Sequence, residues 1–357
     1  MFSTEIYKNK KVFLTGHTGF KGSWLLVWLH FLGAKIKGFS LAPENQHDLY
    51  NQIGGDNLCD SIIGDIMDYD LLEKELLAFE PDFVFHLAAQ PLVRLSYKMP
   101  VATFSINSIG SAHLLEVVRK LPGKCQVIMV TTDKVYHNNE WVYPYRETDA
   151  LGGYDPYSAS KACAEIVIAS YRNSFFNLRD YSIHKKGIAV ARAGNVIGGG
   201  DWALDRIIPD TIRALQQNIP VTVRNPKAVR PWQHVLEPLS GYLELGAKLF
   251  LEPEKYSTAF NFGPYMQDNL EVEALVKIAL EIWQGGGYEI IQHQDQLHEA
   301  GLLKLDISKA VYDLLWTPKF SAEAAIEKTV NWYKAFSEGN STAFDLVKKD
   351  IDAYVAA

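Results

Sequence analysis

The chain is poor in the features that would tie it to several function classes. It has three cysteines, Cys59, Cys125 and Cys163, far apart and with no paired spacing. That pattern supplies neither a disulfide framework nor a zinc site and suits a reducing compartment. Ten histidines include no HExxH, so no metal site is expected. The formal net charge is −7, without a basic run, which argues against nucleic acid as a partner. The opening residues MFSTEIYKNKK have no apolar core, so no signal peptide is expected. No apolar stretch reads as long enough to span a bilayer, so no membrane partner is expected and the cytoplasm is the default. Repeats and low-complexity linkers are also missing.

The 357 residues suffice for one large or two moderate domains. Strand and helix signals alternate through the first half. KVFLT reads as a buried strand, and residues 23–32 place Trp24, Leu25, Trp28, Leu29 and Leu32 at helical spacing, with Gly33 as the stop. KIKGFSL, SIIGDI, FVFHLAA, CQVIMVTT and GIAVARAGNVIG read as further strands. Helices are expected over 68–80, 101–120 and 157–173. This alternation implies an α/β fold with a doubly wound parallel sheet of the Rossmann type. Beyond Gly198 the sequence becomes loop-rich, basic and aromatic. Residues 1–186 are expected to form a dinucleotide-binding domain. Residues 187–357 are expected to form mainly a smaller mixed α/β substrate lobe, with about 187–198 and 240–264 returning to the first domain.

Between the first strand and helix lies GHTGFKG, with Gly16, Gly19 and Gly22 in a GxxGxxG spacing. Free N–H groups and the dipole of a helix N-terminus favour an anion there, and missing side chains let a pyrophosphate approach. A turn that merely packs tightly is the plainer alternative. Tyr157 and Lys161, four apart on a helix, share a face. An ammonium beside a phenol lowers its pKa and makes a usable base. A YxxxK pair alone is common on solvated faces. Here Thr131, Thr132 and Asp133 close a buried strand, and in such sheets ligands bind at the carboxyl ends of strands.

The glycine loop, Asp65, the HLAAQ run at 86–90, TTDKVY at 131–136 and YSASK at 157–161 together resemble the extended short-chain dehydrogenase/reductases. TTD before VY resembles their sugar-nucleotide 4,6-dehydratase group. GHTGFKGSWL, NVIGGGDWALDRIIPD and RNPKAVRPWQHVLEPLSGYL are similar to the branch that acts on CDP-glucose. The resemblance implies a retained NAD, a CDP-glucose substrate, a role in deoxysugar and O-antigen synthesis, and a homodimer or dimer of dimers through the helices at 101–120 and 157–173. It assigns the cofactor to Gly16, His17, Gly19, Phe20, Lys21, Gly22, Asp65, Ile66, Leu87, Ala88, Ala89, Gln90 and Thr131, with Tyr157 and Lys161. It makes Thr132, Asp133, Lys134, Tyr157 and Lys161 catalytic, and gives substrate contacts to Thr132, Asn195, Arg206, Arg230 and His234. Surface salt bridging is the plainer reading of the two arginines.

Two departures matter. The second strand ends in Ser40, with no acidic residue for a ribose 2′-hydroxyl, so the residues leave NAD and NADP both open. Lys134 stands where dehydratases acting on dTDP-sugars carry the glutamate that removes the C5 proton. A lysine does that only as the neutral amine. The alternative is that Lys134 binds substrate. A nucleotide-sugar 4-epimerase shares the first hydride step but has no leaving hydroxyl for Asp133 to protonate. A non-catalytic dinucleotide-binding module would need no base.

Overall fold

The computed structural model of the protein describes residues 4–291 and 302–357. Seven strands form one sheet: β1 (Lys11–Thr15), β2 (Lys35–Ser40), β3 (Asp60–Ile63), β4 (Phe83–His86), β5 (Cys125–Val130), β6 (Lys186–Ala193) and β7 (Ala259–Phe262). All neighbours are parallel, in the order β7-β6-β5-β4-β1-β2-β3. The period-2 alternation of strand side chains sorts the core into two layers. Val12, Leu14, Phe83, Phe85, Ile128 and Val130 face α1 (Phe20–Phe31) and a later helix at Leu236–Leu251. Phe13, Val84, Val127, Met129, Ile188 and Val190 face the opposite way. There they meet α2 (Tyr69–Phe79), α3 (Gly110–Lys120) and α4 (Pro156–Ser174). The architecture is thus the expected doubly wound Rossmann-type α/β sheet.

Helix α1 is buried along its whole face from Gly22 to Leu29. A second layer explains this: the helix Ala343–Ala356 lies outside it, with Tyr354 against Trp28 at 5.7 Å between ring centroids. Smaller pairings lie beyond the sheet: 229–230 with 270–271, 288–290 with 221–223, and 196–197 with 233–234.

Two elements differ from the sequence reading. The helix expected over 101–120 is broken by a π-turn at Ser105–Ile109. The wider turn sends Asn107 and Ser108 into α4, where Asn107 Nδ2 donates to Ser160 Oγ at 2.8 Å and Ser108 Oγ to the Ser160 carbonyl at 3.0 Å. By length and composition alone, Pro100–Lys120 could cross a membrane, contrary to the expectation that no stretch could; half of its most apolar window is buried in this fold. The expected strand GIAVARAGNVIG ends at Ala193 and resumes at Val196. Between them the chain passes the Asp133 carboxyl so closely that a Cβ on Gly194 would lie 3.2 Å from its Oδ2.

Candidate active site

The order of strands reverses between β1 and β4, and the loops leaving their carboxyl ends meet there. Gly16 has a φ of +75°, and a Cβ on it would lie 2.8 Å from the Ala88 nitrogen. A Cβ on Gly22 would lie 2.0 Å from the Gly16 carbonyl oxygen. These two glycines are required by close backbone approach, whereas Gly19 sits on the open side and caps α1 without a side chain. The result is a bare cradle at an uncapped helix N-terminus, and this fits a pyrophosphate. His17 turns away from the cradle, bonding Ser61 Oγ through Nε2 at 2.8 Å; burial pushes it down to about 4, so it is neutral. The Thr18 and Ser40 hydroxyls bond each other at 2.8 Å at the end of the second strand, where an acidic residue would meet a ribose 2′-hydroxyl. Asp65 is exposed, while Ile66 is buried under Gly110. Gln90 is held by the π-turn, its N–H donating to Asn107 Oδ1 at 2.9 Å.

Strand β5 delivers Thr131, Thr132, Asp133 and Lys134 to the same end of the sheet. Thr132 Oγ1 donates to Asp133 Oδ1 at 2.9 Å. Burial raises the Asp133 carboxyl above its usual range, while Lys134, the Thr132 hydroxyl, Arg230 and Lys21 pull it back. Helix α4 brings Tyr157 and Lys161. Asp155 caps it, accepting from Ser158 N at 2.9 Å, and Pro156 takes the first turn. Lys161 Nζ donates to the Val130 carbonyl at 3.0 Å. Burial lowers Lys161 to about 8, opposed by Glu165.

The expectation that Lys161 lowers Tyr157 is corrected here. Burial pushes the phenol up to about 12; the groups opposing this are the Thr132 hydroxyl and Arg206. Lys161 is instead turned onto the β5 carbonyl. Arg206 bonds Asp201 at 2.7 Å, so the salt-bridge reading holds for it, yet its charge also reaches Tyr157 and Lys21. Lys21 leaves the glycine loop toward Tyr242, its Nζ donating to the Tyr242 hydroxyl at 3.4 Å, and burial lowers it to about 8.

The structure therefore draws Lys21, Thr132, Asp133, Tyr157, Lys161, Arg206 and Arg230 into one charge cluster. His234 is not brought there. It is fully buried between Trp24 and Phe320, with ring centroids at 5.6 and 5.9 Å, and burial holds it neutral at about 3. A cavity of about 560 Å³ opens beside the cluster, lined by Lys134, Tyr154, Ser158 and, from the far part of the chain, Leu303. Asp155, Asp201, Glu165 and Arg192 also build this region and were not singled out from the motifs. Only Glu165 had a usable signal, one turn beyond Lys161 on the same helix face.

A family model described as GDP-mannose 4,6 dehydratase matches residues 13–329. CDP-glucose 4,6-dehydratase of Salmonella typhimurium is 45% identical over 357 residues, covering 100% of this chain and 99% of that protein. CDP-paratose 2-epimerase of Salmonella typhi is 26% identical over 90% of this chain and 98% of its own. Among solved structures, an epimerase of Methanothermobacter thermautotrophicus superposes with a TM-score of 0.79 at 22% identity, covering 97% of this chain and 96% of that one. A dTDP-glucose 4,6-dehydratase of Bacillus anthracis, in complex with NAD, does so at 0.75 and 21%, covering 92% and 98%. With the family model matching residues 13–329 and a relative 45% identical over the whole chain, the chain belongs to the GDP-mannose 4,6 dehydratase family.

Proposed function

We propose that the chain converts CDP-D-glucose to CDP-4-dehydro-6-deoxy-D-glucose and water with a retained NAD. The observation that carries this is Asp133: a buried carboxyl with a raised pKa, beside Thr132 and facing the Tyr157 cluster. Elimination of a 6-hydroxyl needs such an acid, and epimerisation at C4 does not. The full-length similarity to a CDP-glucose 4,6-dehydratase supports the choice of sugar and of cytosine. The glycine cradle supports the dinucleotide, and the NAD in a dTDP-glucose 4,6-dehydratase of the same fold supports NAD over NADP.

The residues divide the work as follows. The loop Gly16–Gly22 holds the pyrophosphate, with Ile66 and Leu87–Gln90 beside the nucleoside. Held there, NAD would supply the hydride acceptor and donor that the redox-neutral reaction needs. Thr132 hydrogen-bonds the 4-hydroxyl and Tyr157 takes its proton. With the phenol at about 12 in a buried setting, Tyr157 works as a base only when positive charge gathers near it. Arg206 contributes part of that charge, and the cofactor ring adds to it. The 4-ketone acidifies C5; Lys134, as the neutral amine, removes that proton while Asp133 protonates the departing 6-hydroxyl, and the resulting Lys134 ammonium returns a proton to C5 as C6 takes the hydride. Asn195, Arg206 and Arg230 bind the sugar nucleotide, the planar guanidinium suiting phosphate oxygens. The sugar occupies the cavity beside Lys134.

Residues 1–186 act as the dinucleotide domain and 187–357 mainly as the substrate lobe; residues 292–301 of that lobe lie outside the described residues. Exposed Val101, Ile109 and Ile166 on the helices at 100–120 and 156–174 support pairing with a second copy. The proposed substrate supports a place in deoxysugar synthesis.

The test is direct. Purified protein with CDP-glucose and NAD yields a 4-keto sugar nucleotide, seen by its absorbance in alkali and a mass loss of one water. Formation of CDP-galactose without water loss would instead establish the 4-epimerase. No turnover of any nucleotide sugar, with NAD bound, would leave a binding module.

A further inference from the structure

The stretch 131–136 leaves β5 carrying Thr132, Asp133 and Lys134, and both of its ends are tied to one buried ion pair. Glu165 and Arg192 face each other with side chains 4% exposed. Arg192 Nε donates to Glu165 Oε1 at 2.7 Å and Nη2 to Oε2 at 2.5 Å. At the near end, Thr131 Oγ1 donates to the same Glu165 Oε1 at 2.7 Å. At the far end, Arg192 Nη1 donates to the Tyr136 hydroxyl at 2.8 Å, and Tyr136 donates onward to Asn261 Oδ1 at 2.7 Å. The same Nη1 reaches the Glu147 carbonyl at 3.1 Å, in the segment leading to α4.

The two partners come from different elements. Glu165 lies on α4, one turn beyond Lys161, and Arg192 lies on β6. The pair therefore joins three pieces of chain: the segment with Thr132–Lys134, the helix with Tyr157 and Lys161, and the strand leading to Asn195. Both side chains are buried and bonded to protein on the sides described.

A buried ion pair sheds the hydration of two charges, and apolar residues of equal volume are often as stabilising. Stability alone does not account for one here. Apolar side chains could not aim hydrogen bonds at Thr131, Tyr136 and the Glu147 carbonyl together. We propose that Glu165 and Arg192 are positioning residues that fix the spacing between Thr132–Lys134 and Tyr157–Lys161. This rests on the reaction proposed above, because it takes those five residues as the ones that must be aligned.

The experiment compares Glu165→Gln, the double variant Glu165→Leu with Arg192→Met, and Tyr136→Phe. Melting temperature, NAD affinity by fluorescence, and kcat and KM are measured for each. Wild-type turnover of CDP-glucose in the same assay reports separately on the proposed reaction; if another nucleotide sugar is turned over, the variants are compared on that one. Glu165→Gln is expected to lower both melting temperature and kcat. The double variant is expected to regain most of the melting temperature while kcat stays at least about ten-fold low, since small misplacements of reacting groups cost that much or more. KM and NAD affinity are expected to change by less than about two-fold, as neither residue is placed against a ligand. A kcat that recovers with the melting temperature would mean the pair is structural only, and would overturn the proposal. Should the charge variants fail to fold, Tyr136→Phe decides: it keeps the ring and the ion pair but cuts the far tie. A several-fold lower kcat at unchanged KM supports the proposal, and an unchanged kcat overturns it.

Discussion

The hydroxyl of Thr132 donates to the carboxyl of its neighbour Asp133 at 2.9 Å, at the point where β5 opens into the cleft. One hydroxyl thus serves a buried acid, while by hydrogen bonding it also opposes the rise that burial imposes on the Tyr157 phenol. The acid and the base of the proposed reaction are coupled through it. Burial keeps the carboxyl neutral over a wider pH range than an exposed aspartate, which is the state a proton donor needs.

Asp133→Asn keeps the shape and removes the acidic proton. The variant is expected to oxidise C4 but stall before water leaves. On rapid mixing with CDP-glucose, reduced-nicotinamide absorbance at single turnover should rise and persist rather than decay, and overall turnover should fall about 10²–10⁴-fold. A variant that completes dehydration at the normal rate would remove Asp133 from the acid role.

Tyr157→Phe keeps the ring and removes the proposed base. Turnover should fall by about 10²–10⁴-fold. The melting temperature and NAD affinity should stay near wild type, because the backbone N–H of Tyr157, which bonds Ser96 Oγ at 3.1 Å, is untouched. Near-normal kcat in the purified variant would place the base elsewhere.

Local pattern made much of this legible. Continuous apolar runs at Val12–Leu14 and Phe83–Phe85 state strands buried on both faces, and glycines after a strand and before a helix state a cradle. The YxxxK spacing states a shared helix face. What failed to be legible depends on partners distant in sequence. Asn107 forms a π-turn because it finds Ser160 and Gln90. His234 reads as polar but is closed in by Trp24 and Phe320. Lys161 was expected to act on the phenol, but its ammonium takes a β5 carbonyl, and that depends on how far α4 sits from the sheet.

A pH effect on stability follows from Glu237, which is fully buried and accepts hydrogen bonds from Tyr354 Oη at 2.7 Å and from the N–H groups of Lys319 and Phe320. Burial pushes its carboxyl up to about 7, above the 4.5 expected of it unfolded. The folded state then holds its proton longer than the unfolded state does. Stability from this group is full below about 4.5 and falls as pH rises to about 7, by about 3 kcal/mol. Denaturant unfolding at pH 5 and pH 8 should show a smaller loss in Glu237→Gln than in wild type. Some loss should remain in the variant, because burial also raises Asp350 to about 6. Equal losses in the two proteins would show that Glu237 does not titrate in this window.

Lys134 carries the last prediction, because its place and its chemistry pull apart. Its backbone N–H donates to Thr132 Oγ1 at 3.4 Å, it follows the acid Asp133 directly, and it lines the cavity taken for the sugar. In the proposed reaction this is where the group that removes the C5 proton would stand. A cation cannot do so; the amine must be neutral when the 4-ketone forms. Lys134→Met retains length and apolar bulk and removes the amine. If Lys134 is the base, the variant oxidises C4, loses solvent deuterium incorporation at C5, and keeps its nicotinamide reduced. A substrate-binding role predicts a higher KM with deuterium still entering C5 at saturating CDP-glucose. Lys134→Glu separates the two further, since a carboxylate is a base but reverses the charge offered to the substrate. Exchange at C5 that returns in the glutamate variant and is missing in the methionine variant would fix the base at position 134. Exchange that survives in Lys134→Met at saturation would move it elsewhere in the cavity.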